Sequence, residues 1–318
     1  MSAPFLDFEK KIVELEKKLE ELRTLGSDEG TDLSAEIKRI HKKVNQLKED
    51  TFSKLTSWQR TQLARHPARP YALDYINEMT RDFLELHGDR CFGDGPSIVG
   101  GFATMDDKPV MVIGQQKGRD TKEKMFRNFG MSHPEGYRKG LRLMKMAEKF
   151  NAPIIVLIDT PGAYPGIGAE QRGQAEAIAK NMMEMAKIKV PIICVVIGEG
   201  SSGGAIGLGI GNKVLMMEYS IYPVISPEGC AAILWKDQSK VAEASEALAQ
   251  TAQNLLDQGV IDEIIQEPLG GAHRNAVQAA HTMRRVLRRH LGELSEMTPE
   301  AVIAQRRSKF RQIGSVLE

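Results

Sequence analysis

The chain has 318 residues, enough for one large α/β domain with an appendage or for two average domains. Apolar residues make up 42%, so a sizeable core can form, and Lys plus Arg (43) almost equals Asp plus Glu (42), leaving a net charge of +1. That balance argues against a nucleic-acid or other polyanion specialist, and aromatics at 6% are too sparse for a base-stacking platform.

The first 50 residues are dense in charge. Ile12, Leu15, Leu19 and Leu22 repeat at helical spacing, as do Leu33, Ile37, Ile40, Val44 and Leu47. The turn-rich segment Gly26-Ser27-Asp28-Glu29-Gly30-Thr31-Asp32 separates them, with Asp32 as candidate helix cap. This predicts a helical hairpin, too short to stand alone and expected to pack on something. Pro67 and Pro70 mark a linker, and residues 74–86 read as a short helix. Residues 98–105 and 110–114 read as strands joined by a hairpin turn at Asp106-Asp107-Lys108. A helix is expected over 137–150, buried strands over 154–158 and 190–197, a helix over 169–186, and a third strand over 213–217. A strand expected over 260–265 interrupts a mostly helical C-terminal part. Strands alternating with helices in this way indicate βαβ units.

Cys91, Cys194 and Cys230 lie far apart with no CxxC, which excludes a disulfide framework or a four-cysteine metal site and suits a reducing cytosol. No apolar run approaches the roughly 20 residues of a membrane span. The charged start around Asp7, Glu9 and Lys10 has no signal-peptide pattern.

Two loops follow buried strands, where open α/β sheets collect their ligands. Asp159-Thr160-Pro161-Gly162-Ala163-Tyr164-Pro165-Gly166 reads as a rigid, ligand-facing wall or as a plain turn. Its similarity to a GTPase switch fails, because the chain has no GxxxxGK[ST] phosphate loop. Residues 198–211 carry seven glycines in fourteen positions, a density that suits close backbone approach to a ligand. Gly203 and Gly204 fall where strand gives way to helix, so their N–H groups are candidate oxyanion-hole donors. The same loop fits GxSxG at Gly200, Ser202 and Gly204. With Asp262 and then His273 or His281 it offers a competing serine-hydrolase reading, although no HGGG-type loop lies upstream. Lys117 and Arg119, in a basic stretch over 116–127, are candidates to pair with phosphate or carboxylate. Met144-Lys145-Met146 mimics a biotin-attachment site but lies in a helical stretch. The arginine pairs at 284–285, 288–289 and 306–307 read as solvent or interface faces rather than an RNA patch. A non-enzymatic scaffold, with purely structural glycine loops, is the remaining alternative.

Further motifs run in order along the chain: Val99-Gly100-Gly101, Gln116-Lys117-Gly118-Arg119, Arg127-Asn128-Phe129-Gly130-Met131, Pro134-Glu135-Gly136-Tyr137-Arg138-Lys139, Ser226-Pro227-Glu228-Gly229-Cys230 and Glu267-Pro268-Leu269-Gly270-Gly271-Ala272-His273. Together with the two loops and Leu63-Ala64-Arg65-His66-Pro67, the chain closely resembles the α-subunit family of the bacterial acetyl-CoA carboxylase carboxyltransferase. The resemblance implies a crotonase fold of stacked ββα units with an N-terminal helical hairpin arm, divided as 1–66 for hairpin and linker and 67–318 for the carboxyltransferase domain. It implies transfer of a carboxyl group from carboxybiotin, held on a separate carrier protein, to acetyl-CoA, giving malonyl-CoA for fatty-acid synthesis. The implied partners are a zinc-bearing β subunit in an α2β2 assembly, the biotin carboxyl carrier protein and biotin carboxylase, in the cytoplasm. No metal is expected in this chain. Gly203 and Gly204 are assigned to the biotin side. Gly162, Ala163, Tyr164, Pro165, Gly200, Ser201, Ser202, Lys117 and Arg119 are expected to bind substrate. Gly204→Val is expected to abolish transfer with the fold intact.

Overall fold

The computed structural model describes residues 5–28 and 33–314. The hairpin arm forms as expected, with α1 (Lys10–Asp28) against α2 (Ser34–Phe52). The break is shorter than the sequence suggests, since α1 continues through Gly26, Ser27 and Asp28. Asp32 lies outside the described residues, and Leu33 occupies the N-cap position of α2. The arm does pack on the body. Ile12, Val44 and Phe52 form one cluster with Leu63 and Tyr219. Glu9, fully buried, pins the arm's start: its Oε1 accepts from Arg274 Nε at 2.9 Å and lies 3.0 Å from His273 Nε2. Burial alone would raise the Glu9 pKa, but His273 and Arg274 outweigh it and hold the group down at about 2. Glu9, His66 and His273 bring three potential metal-ligand atoms within 4.8 Å of one another. Glu9 already serves the Arg274 guanidinium, so the cluster is an anchor for the arm. Glu9→Gln is expected to speed amide exchange in α1 and α2 by about tenfold or more, as losing a charged hydrogen bond costs about 1.5–3 kcal/mol. Exchange in the sheet should stay unchanged; unaltered exchange in the arm would refute the anchor.

After α3 (Ser57–Ala64) and the proline linker comes α4 (Ala72–Met79). The helix expected over 74–86 ends there, because Arg81–Glu85 is a strand, β1. β1 is an exposed edge strand with Leu84 facing solvent, so it has no apolar alternation to betray it. β2 (Ile98–Met105) and β3 (Lys108–Gln115) form the expected hairpin, with Met105 opposite Lys108. Asp106 and Asp107 both have positive φ (48° and 61°), the pattern of a type I′ turn. The basic stretch is not all loop, since it contains α5 (Thr121–Phe126), capped by Asp120. Next come α6 (Pro134–Lys149), β4 (Ile154–Thr160), α7 (Ile167–Gln171) and α8 (Gln174–Met185). The single helix expected over 169–186 is thus two, divided at Gly173, whose φ of 81° interrupts the helix. β5 (Ile192–Gly200), α9 (Ser202–Ile206), β6 (Lys213–Met217), α10 (Pro227–Cys230), α11 (Val241–Ala247), α12 (Ala252–Asp257), β7 (Glu263–Ile265), α13 (Ala276–Ser295) and α14 (Pro299–Gln312) complete the chain.

The strands form one sheet in sequence order. β1 to β3 are antiparallel, and β3 to β7 are parallel. Along β4, Ile154, Val156 and Ile158 enter one core, while Ile155 and Leu157 enter the other. Burial on both faces explains the unbroken apolar runs. α6 and α8 cover the first face, and α4 and α13 the second. The last helix belongs to the same body: buried Arg306 donates to the carbonyls of Met185, Ile188 and Val190 and to Asn212 Oδ1. All parallel strands therefore end on one side, and the two suspected loops sit there together.

Candidate active site

β4 ends in the 159–166 loop, and β5 ends at α9. The two loops touch. A Cβ on Gly204 would come within 2.5 Å of the Gly162 carbonyl carbon and 2.7 Å of Ala163 N. Only glycine permits this approach. The loop's path is fixed by Thr160, whose Oγ1 donates toward the Gly130 and Gly162 carbonyls and accepts from Gly162 N–H. Gly162 has φ of 147°, another glycine-only conformation. Tyr164 N–H donates to the Ser132 carbonyl, and Gln174 Nε2 spans the Ser132 and Tyr164 carbonyls. Pro165 is exposed at the rim.

At α9 the backbone donors are left open. Ser201 is the N-cap residue, but its hydroxyl bonds Glu199 at 3.3 Å and does not cap the helix. Ser202 N–H goes to the Pro223 carbonyl, while the N–H groups of Gly203 and Gly204 find no acceptor among the described residues. Uncapped first-turn donors suit an external oxygen anion. Gly203 lines a pocket of about 300 Å³ with Ser202, Ile206, Tyr222, Pro223 and Val224, at the small end for ligand sites. The Gly204 carbonyl accepts from Gln115 Nε2 at 2.7 Å, and Gln115 Oε1 accepts from Asp159 N–H at 3.1 Å. One buried carboxamide thus ties β3, β4 and α9 together.

The two basic candidates are engaged within the chain. Lys117 Nζ lies 2.7 Å from Asp159 Oδ1 and 3.8 Å from Glu199 Oε2. Burial works against its charge, but the two carboxylates outweigh burial and hold its pKa above the usual lysine value. Arg65 closes the network by bonding both Glu199 and Glu228. Arg119 bonds Asp74 and the Pro67 and Arg69 carbonyls, and sits 4.2 Å over the Tyr71 ring. Neither cation is free: each is held by partners within the chain. Sequence reasoning gave no role to Gln115, Asp159, Glu199 or His133: Asp159 and Glu199 stand inside the two loops, and Gln115 and His133 directly precede quoted motifs.

The hydrolase triad is not assembled. Asp262 holds Val214 N–H and Lys309, His273 holds Glu9, and His281 is exposed on α13. Lys145 is exposed on α6 between Met144 and Met146 and pairs with Glu184, as its helical setting predicted. Among the C-terminal arginines, Arg284 pairs with Asp106, Arg289 with Glu263, and Arg306 is buried. The cysteines are unpaired, with Cys91 exposed and Cys194 and Cys230 buried. Among the described residues no helix is long and apolar enough to cross a membrane.

Sheet, helices and paired glycine loops define a crotonase-like fold of the kind used by acyl-CoA carboxyltransferases. Transcarboxylase 12S with methylmalonyl-coenzyme A and methylmalonic acid bound is similar in fold: TM-score 0.53, 20% identity, covering 69% of this chain and 42% of that one. So are the β subunit of Pseudomonas aeruginosa geranyl-CoA carboxylase (TM-score 0.57, 16% identity, 78% and 46%) and a Pseudomonas malonate decarboxylase hetero-dimer (0.59, 14%, 76% and 95%). The chain therefore spans less than half of the first two structures.

The chain belongs to the acetyl co-enzyme A carboxylase carboxyltransferase-like family, whose model matches residues 5–314. It is 55% identical over 314 residues to the acetyl-coenzyme A carboxylase carboxyl transferase subunit alpha of Halorhodospira halophila, covering 99% of each chain. The protein of that name from Geobacter metallireducens is 56% identical over 313 residues, covering 98% of each.

Proposed function

We propose that this chain is the α half of an acetyl-CoA carboxylase carboxyltransferase and builds the biotin side of its active site. The carrying observation is the pair of unpartnered N–H groups at Gly203 and Gly204, at the open start of α9. In the reaction a carboxyl group leaves the carboxybiotin co-substrate on its carrier protein and joins acetyl-CoA, giving malonyl-CoA for fatty-acid biosynthesis. The departing ureido group gains negative charge on oxygen. Gly203 and Gly204 donate to that oxygen, and the charge that grows there is stabilised more than the ground state is. The acetyl methyl loses its proton to the departing ureido nitrogen, so no side-chain base is needed. The absence of a nucleophile–histidine pair at Ser202 agrees with this. Gly162, Ala163, Tyr164 and Pro165 form the facing wall, and Gly200, Ser201 and Ser202 carry the backbone into the site. Lys117 and Arg119 serve as supports behind it.

The acetyl-CoA thioester requires a second oxyanion hole, which we assign to a β partner in an α2β2 assembly. That partner also carries the zinc. The biotin carboxyl carrier protein and biotin carboxylase complete the system, which acts in the cytoplasm. The test is carboxyl transfer between malonyl-CoA and free biotin, measured for the chain alone and with its β partner. Activity is expected only in the complex. Absence of transfer in a well-formed complex would favour a scaffold role. Ser202→Ala separates the hydrolase alternative. Ser202 is exposed and offers the site its backbone, so the variant should retain transfer within about fivefold, whereas a nucleophile's loss costs about 10⁶-fold.

A further inference from the structure

His133, Glu135 and Arg172 form a side-chain cluster beside the glycine loops. His133 occupies the N-cap position of α6, but its side chain does not cap the helix. Its ring lies against Tyr164, centroids 4.4 Å apart, and its Nδ1 lies 3.2 Å from Arg172 Nη2. A guanidinium can only donate, so Nδ1 must accept. The imidazole therefore carries one proton, on Nε2, and is neutral. Arg172 is itself immobilised. Its Nε and Nη2 reach the two Glu135 oxygens at 3.2 and 3.0 Å, and it sits 4.4 Å over the Phe92 ring. Burial lowers the His133 pKa below its usual 6.5; Glu135 opposes this and Arg172 adds to the lowering. The ring is half-buried, and Nε2 has no partner among the described residues. Tyr164, which holds the ring, directly follows the Gly162–Ala163 backbone that packs on Gly204.

We propose that His133 is a substrate-binding residue of this half-site, its Nε2–H donating to an oxygen of the carboxylate in transit. This rests on the assignment of Gly203 and Gly204 to the biotin side. As the carboxyl group leaves, its bond to the ureido nitrogen breaks. The electron pair stays on nitrogen, and the carboxylate becomes neutral CO₂. A cation on that carboxylate would stabilise the ground state more than the transition state and slow the step. A neutral donor orients it with a smaller penalty, and the Arg172 contact keeps the donor neutral and correctly tautomerised.

The test compares three variants in the α–β complex, assayed for transfer from malonyl-CoA to free biotin. His133→Gln places an amide N–H near the position of Nε2 and should keep kcat within about fivefold. His133→Asn, which mimics Nδ1, and His133→Phe, which keeps the ring against Tyr164 without a donor, should each lose about 10²-fold in kcat because the carboxylate is no longer oriented. KM for malonyl-CoA should be unchanged. Phe at wild-type activity, or Gln as poor as Phe, would overturn the proposal. Nitrogen-15 NMR supplies a second readout: His133 should show only the Nε2–H tautomer at neutral pH, and a doubly protonated ring would also overturn it. If His133→Phe is inactive while a block at Gly203 is harmless, the oxyanion assignment fails and the histidine stands. The reverse result removes the histidine alone.

Discussion

Gly203→Val should lower carboxyl transfer by about 10²–10³-fold, the usual effect of losing one oxyanion donor, while the unfolding transition stays where it is. The structure makes this substitution informative. A Cβ at Gly203 meets only Ile178 Cδ1, at an ordinary 3.7 Å, and the residue lines the open pocket. Valine is also a better helix former than glycine, so α9 is not weakened by the change. Its methyl groups would occupy the space from which an oxygen must approach the first-turn N–H groups. Gly204→Val, the change suggested by sequence alone, cannot serve. Its Cβ would press on the Gly162–Ala163 backbone, so the loop must move and a loss of activity would mix site with fold. The expectation of an intact fold for that variant is overturned by this contact. Near-normal transfer by a folded Gly203→Val complex would sink the oxyanion assignment.

The parallel strands were legible in the sequence because burial on both faces writes continuous apolar runs, as in Ile154–Thr160. The hairpin was legible because Asp106-Asp107 suits a turn with two positive φ values. The edge strand Arg81–Glu85 was not, since it buries little and alternates weakly. In the site, the glycine pair announced itself by composition. Its partners did not. The long-range contacts of Gln115 with Gly204 and of His133 with Arg172 join segments dozens of residues apart. No local pattern records that a carboxamide replaces a helix hydrogen bond, or that a guanidinium sets a tautomer. The partners of Lys117 and Arg119 were hidden in the same way. Positive charge is visible in sequence, but the carboxylates of Asp159 and Asp74 that engage it arrive from elsewhere in the fold.

Those long-range charges also carry the largest expected stability effect, at Arg69. Its side chain is 1% exposed and that of Glu267 is fully buried. Two bonds join them, at 3.0 and 2.5 Å, and Arg69 Nε donates to the Ile197 carbonyl at 2.7 Å. Burial disfavours the arginine's charge, but Glu267 more than offsets it and raises the pKa. Glu267 in turn accepts from the Tyr219 and Ala272 N–H groups. The pair therefore joins the proline linker, the end of β5 and the loop after β7. Arg69→Met keeps much of the side-chain volume but strands a buried carboxylate and a β5 carbonyl. It should cost about 3–5 kcal/mol in denaturant unfolding of the full chain. Arg69→Met combined with Glu267→Met should cost less than the sum of the two single changes, because no unpaired charge remains. The single variant should also lose transfer, since β5 leads directly into Gly200 and α9. A loss of under about 1 kcal/mol for Arg69→Met would place this pair with exposed ion pairs and refute its role as the clamp beneath the site.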